Sequence, residues 1–482
     1  MTKQRKDTDP KYICGNCIKE EYLGSEIETL GNRRKCSFCK KNQKTYLLSA
    51  VVSRVESVMR SFYERTLRDP TSWEERFQRD QELNYCWNRE GSTLIDILQN
   101  EFDVTLKAAK YISQILEEKY FDMDAAQIGE ETEFSSDAQY ELKSIGHGNW
   151  LREWDEFKHI LRSEARFFNE RVHNILQSIF KDIEKTTTWG SMPVVTTIGP
   201  GSDIEKLYRA RIFLSDAKLH EALKSPALQL GPPPPGIATN GRMNAAGVSV
   251  FYGSIDEETS IAEVRPPVGC AVATAAFNVI RTLELLDLRA LQNATGRVSV
   301  FSPDYQEVME KSAFLSELSF KITQPVMPGD EALEYLPTQA VADYLASRAD
   351  ITFDGIIFPS VQVTGNSKTN IVLFNQSSRV ESMNLKKGAT IKVYDRDYFE
   401  NEAFVSYRVV ERFLKNAQDT TVHVKHSDPD LRAPSLSLDL GSINVHYIEG
   451  VSFTTQMHSV AWEQFEMDDY VNLSTGAPST SK

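Results

Sequence analysis

The string ETSIAEVRPP at residues 258–267 predicts a short helix that stops at a pair of prolines and carries a glutamate in its last turn. Two strand-like strings lie on either side of it in the chain, LYRA at residues 207–210 and DGIIFPS at residues 354–360. Side chains at the ends of helices and strands are held rigidly and often line a cleft. The three strings therefore supply an arginine, a glutamate and a serine as candidate site residues, namely Arg209, Glu263 and Ser360.

The boundaries of the helix that carries Glu263 follow from its sequence. Ser254 and Glu257 match the S-x-x-E capping box that begins a helix, and Pro266 prevents its continuation. A carboxylate in the last turn opposes the helix dipole, at a cost of about 0.3 to 1 kcal/mol when it is exposed. We therefore expect either a compensating cation, such as Arg265, or a ligand beside Glu263.

Composition indicates a soluble, multidomain chain. At 482 residues it is too long for one ordinary core, which predicts roughly two to four domains. The formal net charge of −14 argues against a general polyanion binder, although residues 1–44 have a net charge of +5 and leave −19 for the remainder. No apolar run approaches the roughly 18 residues of a membrane helix, and no apolar segment follows the basic N-terminus as in a secretory signal. We therefore expect a cytoplasmic protein without membrane contact.

Four of the six cysteines form two C-x2-C pairs, Cys14 with Cys17 and Cys36 with Cys39, and eighteen residues separate the pairs. This spacing is typical of a zinc ribbon, in which two knuckles give four thiolates to one tetrahedral ion. Two disulfides are the alternative, but a chain without an export signal remains in a reducing compartment. We predict a zinc ribbon at residues 1–44, with a structural ion because four thiolates close the coordination shell.

Residues 45–185 are predicted to form a mostly α-helical domain. Apolar residues recur at three- and four-residue steps in four stretches, at residues 48–62, 92–98, 106–116 and 150–185. The last and longest of these stretches predicts one helix of several turns.

The string RFFNERVH at residues 166–173 lies in that last stretch. Seven residues are nearly two helical turns, so Arg166 and His173 would project from one face of the helix. The pattern resembles the arginine–histidine motif of HEPN domains, some of which are ribonucleases that pair histidines across a dimer. The resemblance implies a HEPN-like domain, a homodimer through the helical domain and RNA cleavage as a second candidate activity. A solvated helix face is the alternative interpretation.

A polar run with a glycine and a proline interrupts the helical pattern, and residues 186–199 are predicted to be a linker. Beyond it, short strands interleave with helices between residues 205 and 380, which predicts an α+β or α/β unit. Residues 381–473 contain further strand-like segments and an acidic end at residues 463–469, which we interpret as an extension that covers or regulates this unit. Residues 474–482 have the composition of a disordered tail.

The order of several strings in the C-terminal half resembles the RES-domain family, which is named for its arginine, glutamate and serine. The strings are LYRA, GRMNAAG at residues 241–247, FYG at 251–253, ETSIAEVRP, EYLPTQ at 334–339 and DGIIFPS. On this resemblance, residues 200–380 are a RES domain and its three name-giving residues are Arg209, Glu263 and Ser360. The sequence departs from the family's usual form at Met243, where an aromatic residue is expected.

The resemblance implies a toxin-like enzyme that consumes NAD, on a fold related to the diphtheria-toxin-like ADP-ribosyltransferases. It implies an NAD glycohydrolase or phosphorylase, or an enzyme that transfers ADP-ribose to a protein acceptor, and the sequence leaves the nucleophile open. Such a toxin must be restrained, which implies an antitoxin or a self-inhibitory contact, in a toxin–antitoxin or phage-defence context. The zinc ribbon and helices would then be a scaffold, or a docking module for a partner or for nucleic acid.

The residue types suit cleavage of the nicotinamide–ribose bond. That cleavage leaves an oxocarbenium-like cation, which a carboxylate such as Glu263 stabilises. A guanidinium binds a pyrophosphate oxygen bidentately, which suits Arg209 or, at the next position of the same parity, Arg211. Ser360 follows a strand and a proline with no histidine motif nearby, so it is predicted to hold the nicotinamide side by a hydrogen bond and not to act as a nucleophile.

Further residues are predicted to contact the substrate or to support the site. Tyr252, at the end of a strand, would stack on nicotinamide, and Tyr208 is a second aromatic candidate. Arg242 in the GRMN turn would contact phosphate. Thr338 and Gln339, at the start of a helix, are predicted to hold the fold together.

Overall fold

The computed structural model describes most of the chain. The described residues are 10–79, 85–188, 190–296, 298–327, 329–348, 351–363, 368–386, 389–399, 402–413, 421–423, 430–452 and 454–462. Among these residues, no helix combines the length and the apolar character that crossing a membrane requires. The predicted acidic cover at residues 463–469 and the predicted disordered tail at 474–482 lie outside the described residues.

A small sheet forms around the first cysteines. Its elements are β1 (Tyr12–Cys14), α1 (Glu21–Leu30), β2 (Asn32–Lys35) and β3 (Asn42–Leu47). The strand order is β1-β3-β2, and both strand pairs are antiparallel. One cysteine pair begins at the end of β1 and the other directly follows β2, so the turns after these two strands carry all four thiols.

Helices and short strands follow this small sheet of β1, β3 and β2, which we call the ribbon sheet. They are α2 (Leu48–Phe62), β4 (Tyr63–Arg65), α3 (Ser72–Arg79), β5 (Ser92–Thr93), α4 (Leu94–Asn100), α5 (Leu106–Tyr120), α6 (Met123–Ile128), β6 (Gln139–Leu142), α7 (Trp150–Ser163) and α8 (Glu170–Phe180). The helical periodicity predicted at 48–62, 92–98 and 106–116 is confirmed by α2, α4 and α5. Their apolar faces share one core with the ribbon sheet, in which Ile13, Val51 and Ile112 are fully buried. Each such side chain contributes about 1.5 to 3 kcal/mol of burial free energy.

The stretch at residues 150–185 is not one helix. It forms α7 and α8, and Arg166 lies in the segment between them. Phe168 has a φ of +58°, a left-handed conformation that ends right-handed helix geometry, and the Asn169 side chain then accepts hydrogen bonds from two N–H groups in the first turn of α8. The prediction that Arg166 and His173 project from one face of one helix is therefore wrong.

The C-terminal half is a mixed α/β structure. Its first elements are β7 (Thr187–Thr188), β8 (Val195–Ile198), β9 (Lys206–Phe213), α9 (Asp216–Lys224), α10 (Pro226–Gln229), β10 (Phe251–Ser254), α11 (Glu257–Glu263), β11 (Ala271–Val279), β12 (Leu283–Asp287) and α12 (Leu288–Leu291). Next come β13 (Ala294–Thr295), α13 (Tyr305–Thr323), α14 (Glu331–Glu334), α15 (Leu336–Ser347), β14 (Gly355–Pro359) and β15 (Thr369–Leu373). The last are β16 (Asn384–Lys386), β17 (Thr390–Phe399), β18 (Glu402–Arg412), β19 (Thr421–His423), β20 (Leu436–Leu438) and β21 (Asn444–Tyr447).

One large sheet organises this half. Its strand order is β20-β11-β9-β10-β15-β14-β12-β8. β21 also pairs with β11, on the same side as β20 but along residues 271–274. The β12–β14 pair is parallel, whereas the other pairs of this sheet are antiparallel. Because β10 and β14 run antiparallel to β15, the ends of β10 and β14 and the start of β15 meet at one edge of the sheet.

Hydrophobic cores cover both faces of the sheet. On one face, α7, α8, α13 and α15 pack around Phe157, Phe314 and Val372, and on the other face α9 packs around Phe251 and Ile371. Helices α7 and α8 thus share a core with the large sheet, a grouping that differs from the predicted domain at residues 45–185. The two halves also meet at aromatic contacts, since the rings of Phe102 and Phe301 lie 4.8 Å apart.

The segment at residues 186–199 was predicted to be a linker, but it contributes a strand to the large sheet. Val195–Ile198 forms β8, which pairs with β12, because its β-branched residues favour an extended backbone on a half-buried sheet edge. The predicted extension at residues 381–473 likewise reaches into the fold, since β20 and β21 pair with β11.

Candidate functional site

The four predicted metal ligands lie together. The sulfurs of Cys14, Cys17, Cys36 and Cys39 are all within 4.8 Å of one another, with Cys14 and Cys39 at 3.6 Å and Cys17 and Cys36 at 3.8 Å. Four thiolates at about 2.3 Å from a tetrahedral zinc ion would be about 3.8 Å apart, so the spacing fits such an ion. The cluster can hold a metal ion.

The surroundings of the cluster shift the pKa values of its thiols in opposite directions. Burial raises the pKa of Cys14 and of Cys17, whereas at Cys36 hydrogen bonds from the backbone N–H groups of Cys39 and Phe38 and from neighbouring thiols together outweigh burial and lower the pKa. The Gln43 side-chain amide also donates to the sulfur of Cys14 at 2.6 Å. Such donors orient ligands and stabilise their negative charge.

The predicted position of Glu263 is confirmed, whereas its predicted helix cap is wrong. Glu263 is the last residue of α11, and the chain turns away at Arg265, which has a φ of +47°. The N-cap of α11 is Asp256, whose carboxylate accepts from the N–H of Thr259 at 2.9 Å. Ser254 cannot cap the helix because it still belongs to β10 and pairs with that strand's neighbours.

The carboxylate of Glu263 is held by two neutral donors. Its Oε1 accepts from the Ser360 hydroxyl at 2.6 Å and from the Asn370 side-chain amide at 2.8 Å. Asn370 is 4% exposed, and its Oδ1 accepts from the hydroxyl of Ser254 at 2.7 Å. The end of β10, the start of β15 and the residue after β14 thus converge on one oxygen of Glu263.

Within the described part of the chain, Oε2 of Glu263 accepts no hydrogen bond, and the side chain is only half-buried. Neither Arg265 nor another cation forms an ion pair with Glu263 among these residues. The carboxylate at this helix C-terminus is therefore not compensated by an ion pair within the described residues, an arrangement that suits a positively charged ligand.

The Ser360 hydroxyl is used differently from the prediction. Ser360 follows β14 as predicted, but its hydroxyl donates to Glu263 and accepts from the N–H of Gln362 at 3.2 Å. It orients the carboxylate in this structure. A direct contact with the nicotinamide side stays a prediction.

The GRMN turn at residues 241–244 holds the phenol of Tyr252. The Tyr252 hydroxyl donates to Oδ1 of Asn244 at 2.9 Å and accepts from the N–H of Met243 at 3.0 Å. Burial raises the pKa of Tyr252 to about 12, so the phenol stays neutral at physiological pH. A Cβ at Gly241 would lie 2.7 Å from the Tyr252 hydroxyl, so the turn requires glycine there.

The predicted structural role of Thr338 and Gln339 is confirmed. The Thr338 hydroxyl donates to the carbonyl of Arg242 at 2.5 Å, and the Gln339 amide donates to the carbonyls of Gly241 and Asn244. Both residues lie in the first turn of α15, so this helix fixes the GRMN turn.

Arg242 lies close to Tyr252 and Glu263 but is already bonded. Its guanidinium donates to the carbonyl of Ile322 at 2.5 Å and lies 5.5 Å from the centre of the Tyr335 ring. Burial lowers the pKa of Arg242, and the nearby Tyr335, Tyr252 and Glu263 oppose that shift. The predicted phosphate contact would require the guanidinium to exchange partners.

Arg209 lies where β9 and β10 separate. These strands pair at Tyr208 and Ser254, and beyond that pair the Arg209 guanidinium donates to the carbonyl of Tyr252 at 2.7 Å. It also lies 5.3 Å from the ring of Phe251. Burial lowers the pKa of Arg209 to about 10, which still leaves it protonated at neutral pH. This hydrogen bond links the two strands where their backbone pairing ends.

Strand alternation separates Arg209 from Glu263. The side chain of Arg209 lies on the sheet face of Leu207 and Phe251, whereas α11 packs on the other face, against Ala210. Tyr208, at the opposite parity, is half-buried on the face of α11. The structure thus brings Glu263 and Ser360 into contact. Arg209 lies on the other face of the sheet and binds the Tyr252 carbonyl of β10, the strand whose last residue, Ser254, bonds to Asn370.

The alternative arginine and the helical motif lie elsewhere. Arg211 is exposed and donates to the side chain of Gln229 at 3.0 Å. Arg166 and His173 both line a groove of about 1170 Å³ between the α7–α8 break and α15. The Arg166 side chain donates to the carbonyl of Leu161 at 3.0 Å.

Sequence reasoning missed Asn370 and Ser254. Asn370 is the single polar amide in the otherwise apolar or β-branched strand TNIVL, which is a signal that a buried side chain has a specific partner. Ser254 was assigned to a helix cap because its spacing from Glu257 fits one, and only the sheet register shows that it faces Asn370.

Comparison with known proteins gives one match. No curated protein and no solved structure matches the chain. Residues 206–391, which include β9 to β15 and every candidate site residue of the large sheet, match the family model of the RES domain.

Proposed function

We propose that this protein cleaves the nicotinamide–ribose bond of NAD. The observation that carries the proposal is the half-buried carboxylate of Glu263, which two neutral donors hold by one oxygen while the other accepts no hydrogen bond from the residues that the structure describes. The RES-domain match at residues 206–391 supports a NAD-acting enzyme. We also propose that residues 206–391 have a fold related to that of the ADP-ribosyltransferases, as the resemblance implies.

The chemistry follows from the charge of the substrate. When the bond between ribose C1 and the nicotinamide nitrogen breaks, its electron pair leaves with neutral nicotinamide and the ribose acquires positive charge. The free oxygen of Glu263 would stabilise this oxocarbenium-like cation, while Ser360 and Asn370 keep the carboxylate from rotating away. Water at C1 then gives ADP-ribose and a proton, whereas inorganic phosphate gives ADP-ribose 1-phosphate.

Other side chains would bind and orient the dinucleotide. Tyr252 and Tyr208 are the aromatic candidates for the nicotinamide ring, since both lie next to the edge that carries Glu263. Arg242 is the candidate for phosphate, and Arg209 would act by holding the Tyr252 backbone in place.

The cysteine cluster would hold a structural zinc ion. Four thiolates at tetrahedral spacing fill the coordination shell, so the ion would stabilise the ribbon and its shared core with α2 and would take no part in the reaction. An antitoxin, a self-inhibitory contact, the homodimer and RNA cleavage by Arg166 and His173 stay predictions.

The test incubates the purified, zinc-loaded chain with NAD, with and without phosphate, and quantifies nicotinamide by chromatography. We expect nicotinamide release by the wild type and a loss of about 100-fold or more in Glu263→Gln, which keeps the shape of the side chain without its charge. Glu221→Gln is the matched control, because Glu221 is an exposed glutamate on α9. Mass spectrometry of the products distinguishes free ADP-ribose, ADP-ribose 1-phosphate and a modified protein.

Two results would contradict the proposal. One is a wild type that leaves NAD intact under both conditions. The other is a Glu263→Gln variant that releases nicotinamide as fast as Glu221→Gln.

A further inference from the structure

The end of the molecule that contains the four-cysteine cluster carries an open basic surface. We call it the ribbon basic surface; it surrounds a cavity of about 660 Å³ lined by Tyr12, Arg33, Arg34, Lys35, Lys40 and Asn42. Strand β2 supplies three of these residues, and all four of its residues are exposed. β2 is an edge strand, because the sheet order is β1-β3-β2. The surface is therefore open along a free strand edge.

The charge of this surface is opposite to that of the whole chain. Four of the six lining residues are cationic and none is acidic, although the chain has a formal net charge of −14. Four thiolates with one divalent ion carry a charge of −2, which offsets half of the +4 of the lining. Among the described residues, none of the four cations forms an ion pair, so the field stays positive.

An aromatic ring lies within the basic surface. The Arg34 guanidinium is 4.8 Å from the centre of the Tyr12 ring and donates to the Tyr12 hydroxyl at 3.0 Å. Tyr12 is half-buried, so part of its side chain is accessible to a ligand. The Asn42 amide, also at the cavity, supplies donors and an acceptor that fit the edge of a base. Basic side chains around an aromatic ring are the elements that bind single-stranded nucleic acid.

The ring and the amide favour a single strand over a duplex. Stacking on the Tyr12 ring and hydrogen bonding to the Asn42 amide both require a base with an exposed face and edge, as in an unpaired strand. An acidic peptide would use the charges but not the ring and the amide.

We propose that the ribbon basic surface binds single-stranded nucleic acid, with Arg33, Lys35 and Lys40 on phosphates and Tyr12 under a base. This inference is independent of the proposed cleavage of NAD, since the surface lies on the small sheet and Glu263 lies at the edge of the large one. It gives the basic N-terminal region a function that the RES domain does not account for.

The test measures fluorescence anisotropy of labelled single-stranded RNA and DNA of about 12 nucleotides, a length within the usual site sizes, with the zinc-loaded full chain. The salt concentration is varied from about 50 to 200 mM. The triple variant Arg33→Gln, Lys35→Gln, Lys40→Gln is compared with a triple control of equal charge change. The control residues are the exposed Lys107, Lys110 and Lys218.

We expect wild-type binding whose logarithm falls linearly with the logarithm of salt concentration. Removing three phosphate contacts should reduce that slope by about 2 and weaken binding at low salt by about tenfold or more. The control triple should change affinity by less than about twofold. Tyr12→Leu should weaken binding and leave the slope unchanged, and this variant decides the question if the basic triple loses zinc.

Several outcomes would overturn the proposal. They are absence of binding by the wild type at the lowest salt concentration, equal weakening in both triple variants, and unchanged affinity in Tyr12→Leu. Displacement of the strand by polyglutamate as effectively as by unlabelled RNA would indicate an acidic protein partner instead. Displacement by a mononucleotide at equal phosphate concentration would indicate a small-molecule site.

Discussion

The side-chain amide of Asn370 lies 2.8 Å from Oε1 of Glu263 and donates a hydrogen bond to it. The Oδ1 atom of the same side chain accepts from the Ser254 hydroxyl. The orientation of the amide follows from Glu263, because carboxylate oxygens accept and the NH2 group must therefore face them. Two strands of the large sheet thus hold the carboxylate that we propose for catalysis. This support is rigid, since Asn370 and Ser254 are both almost fully buried.

Replacing Asn370 should change the catalytic rate more than substrate binding. In Asn370→Ala the carboxylate of Glu263 loses one of two donors, and we expect kcat for nicotinamide release to fall by about 10- to 100-fold with KM nearly unchanged. Asn370→Asp should be slower still at neutral pH, because a second carboxylate would face the first. Asn293→Ala, at an exposed asparagine, is the control. Equal rates for Asn370→Ala and Asn293→Ala would exclude a positioning role.

Replacing Arg209 should affect both stability and activity. Arg209→Met leaves the carbonyl of Tyr252 without its donor in a buried site, so we expect the free energy of unfolding to fall by about 1 to 3 kcal/mol and activity to fall with it. Arg211→Met, on the same strand but exposed, should change neither. Thermal unfolding and NAD turnover measured on both variants test this. If Arg209→Met keeps the wild-type kcat/KM, Arg209 does not contribute to the activity of the site.

A methyl group at Gly241 should displace the phenol of Tyr252. The new Cβ would lie 2.4 Å from Oδ1 of Asn244 and 2.7 Å from the Tyr252 hydroxyl, so the turn and the ring must separate. We expect Gly241→Ala to lower stability by about 1 to 3 kcal/mol and to raise KM for NAD. Gly146→Ala is the control, because a Cβ at Gly146 would contact nothing within 4 Å. Unchanged KM in Gly241→Ala would show that Tyr252 does not contact NAD.

Glu257, the first residue of α11, should make the stability of the fold depend on pH in the acid range. Burial by itself would raise the pKa of Glu257, but hydrogen bonds from Thr274, Asn444 and His446 outweigh it and lower the pKa below its usual 4.5. A lowered folded-state pKa stabilises the fold fully above about pH 4.5 and loses that effect as pH falls through the folded-state value. Glu257→Gln should therefore lower Tm at neutral pH, and its difference from wild type should shrink below pH 4.5. A difference that is constant with pH would contradict this.

Metal removal should destabilise the N-terminal half. We expect about one zinc ion per chain by elemental analysis, and a loss of that ion with a lower Tm in Cys36→Ser. Cys86→Ser is the control, because Cys86 is exposed and lies outside the cluster. Full zinc content in Cys36→Ser would mean that the four cysteines are not the ligands.

Features that depend on residues close together in the sequence were predicted from local patterns. The C-x2-C spacing gave the ligand cluster, and the prolines after Glu263 gave the end of α11. The prediction of one helix over residues 150–185 was wrong because no proline or glycine marks the break between α7 and α8. The sequence signal for that break is Asn169, which caps α8.

Contacts across the sheet were beyond sequence reasoning. Asn370 follows Glu263 by 107 residues, and only the pairing of β10, β15 and β14 brings them together. For the same reason the sequence predicted that Arg209 binds the pyrophosphate in the site that contains Glu263, although the alternation of β9 places its guanidinium on the other face of the sheet.

The pairing of β20 and β21 with β11 sets a limit on where the molecule can be shortened. The RES-domain match ends at residue 391, yet these two strands, at Leu436–Leu438 and Asn444–Tyr447, form hydrogen bonds along one whole side of β11. A fragment that stops at the end of the match would leave that side of an apolar strand bare, and bare strand edges associate with one another. The unit in which both sides of β11 are paired is therefore longer than the unit that a family comparison recognises.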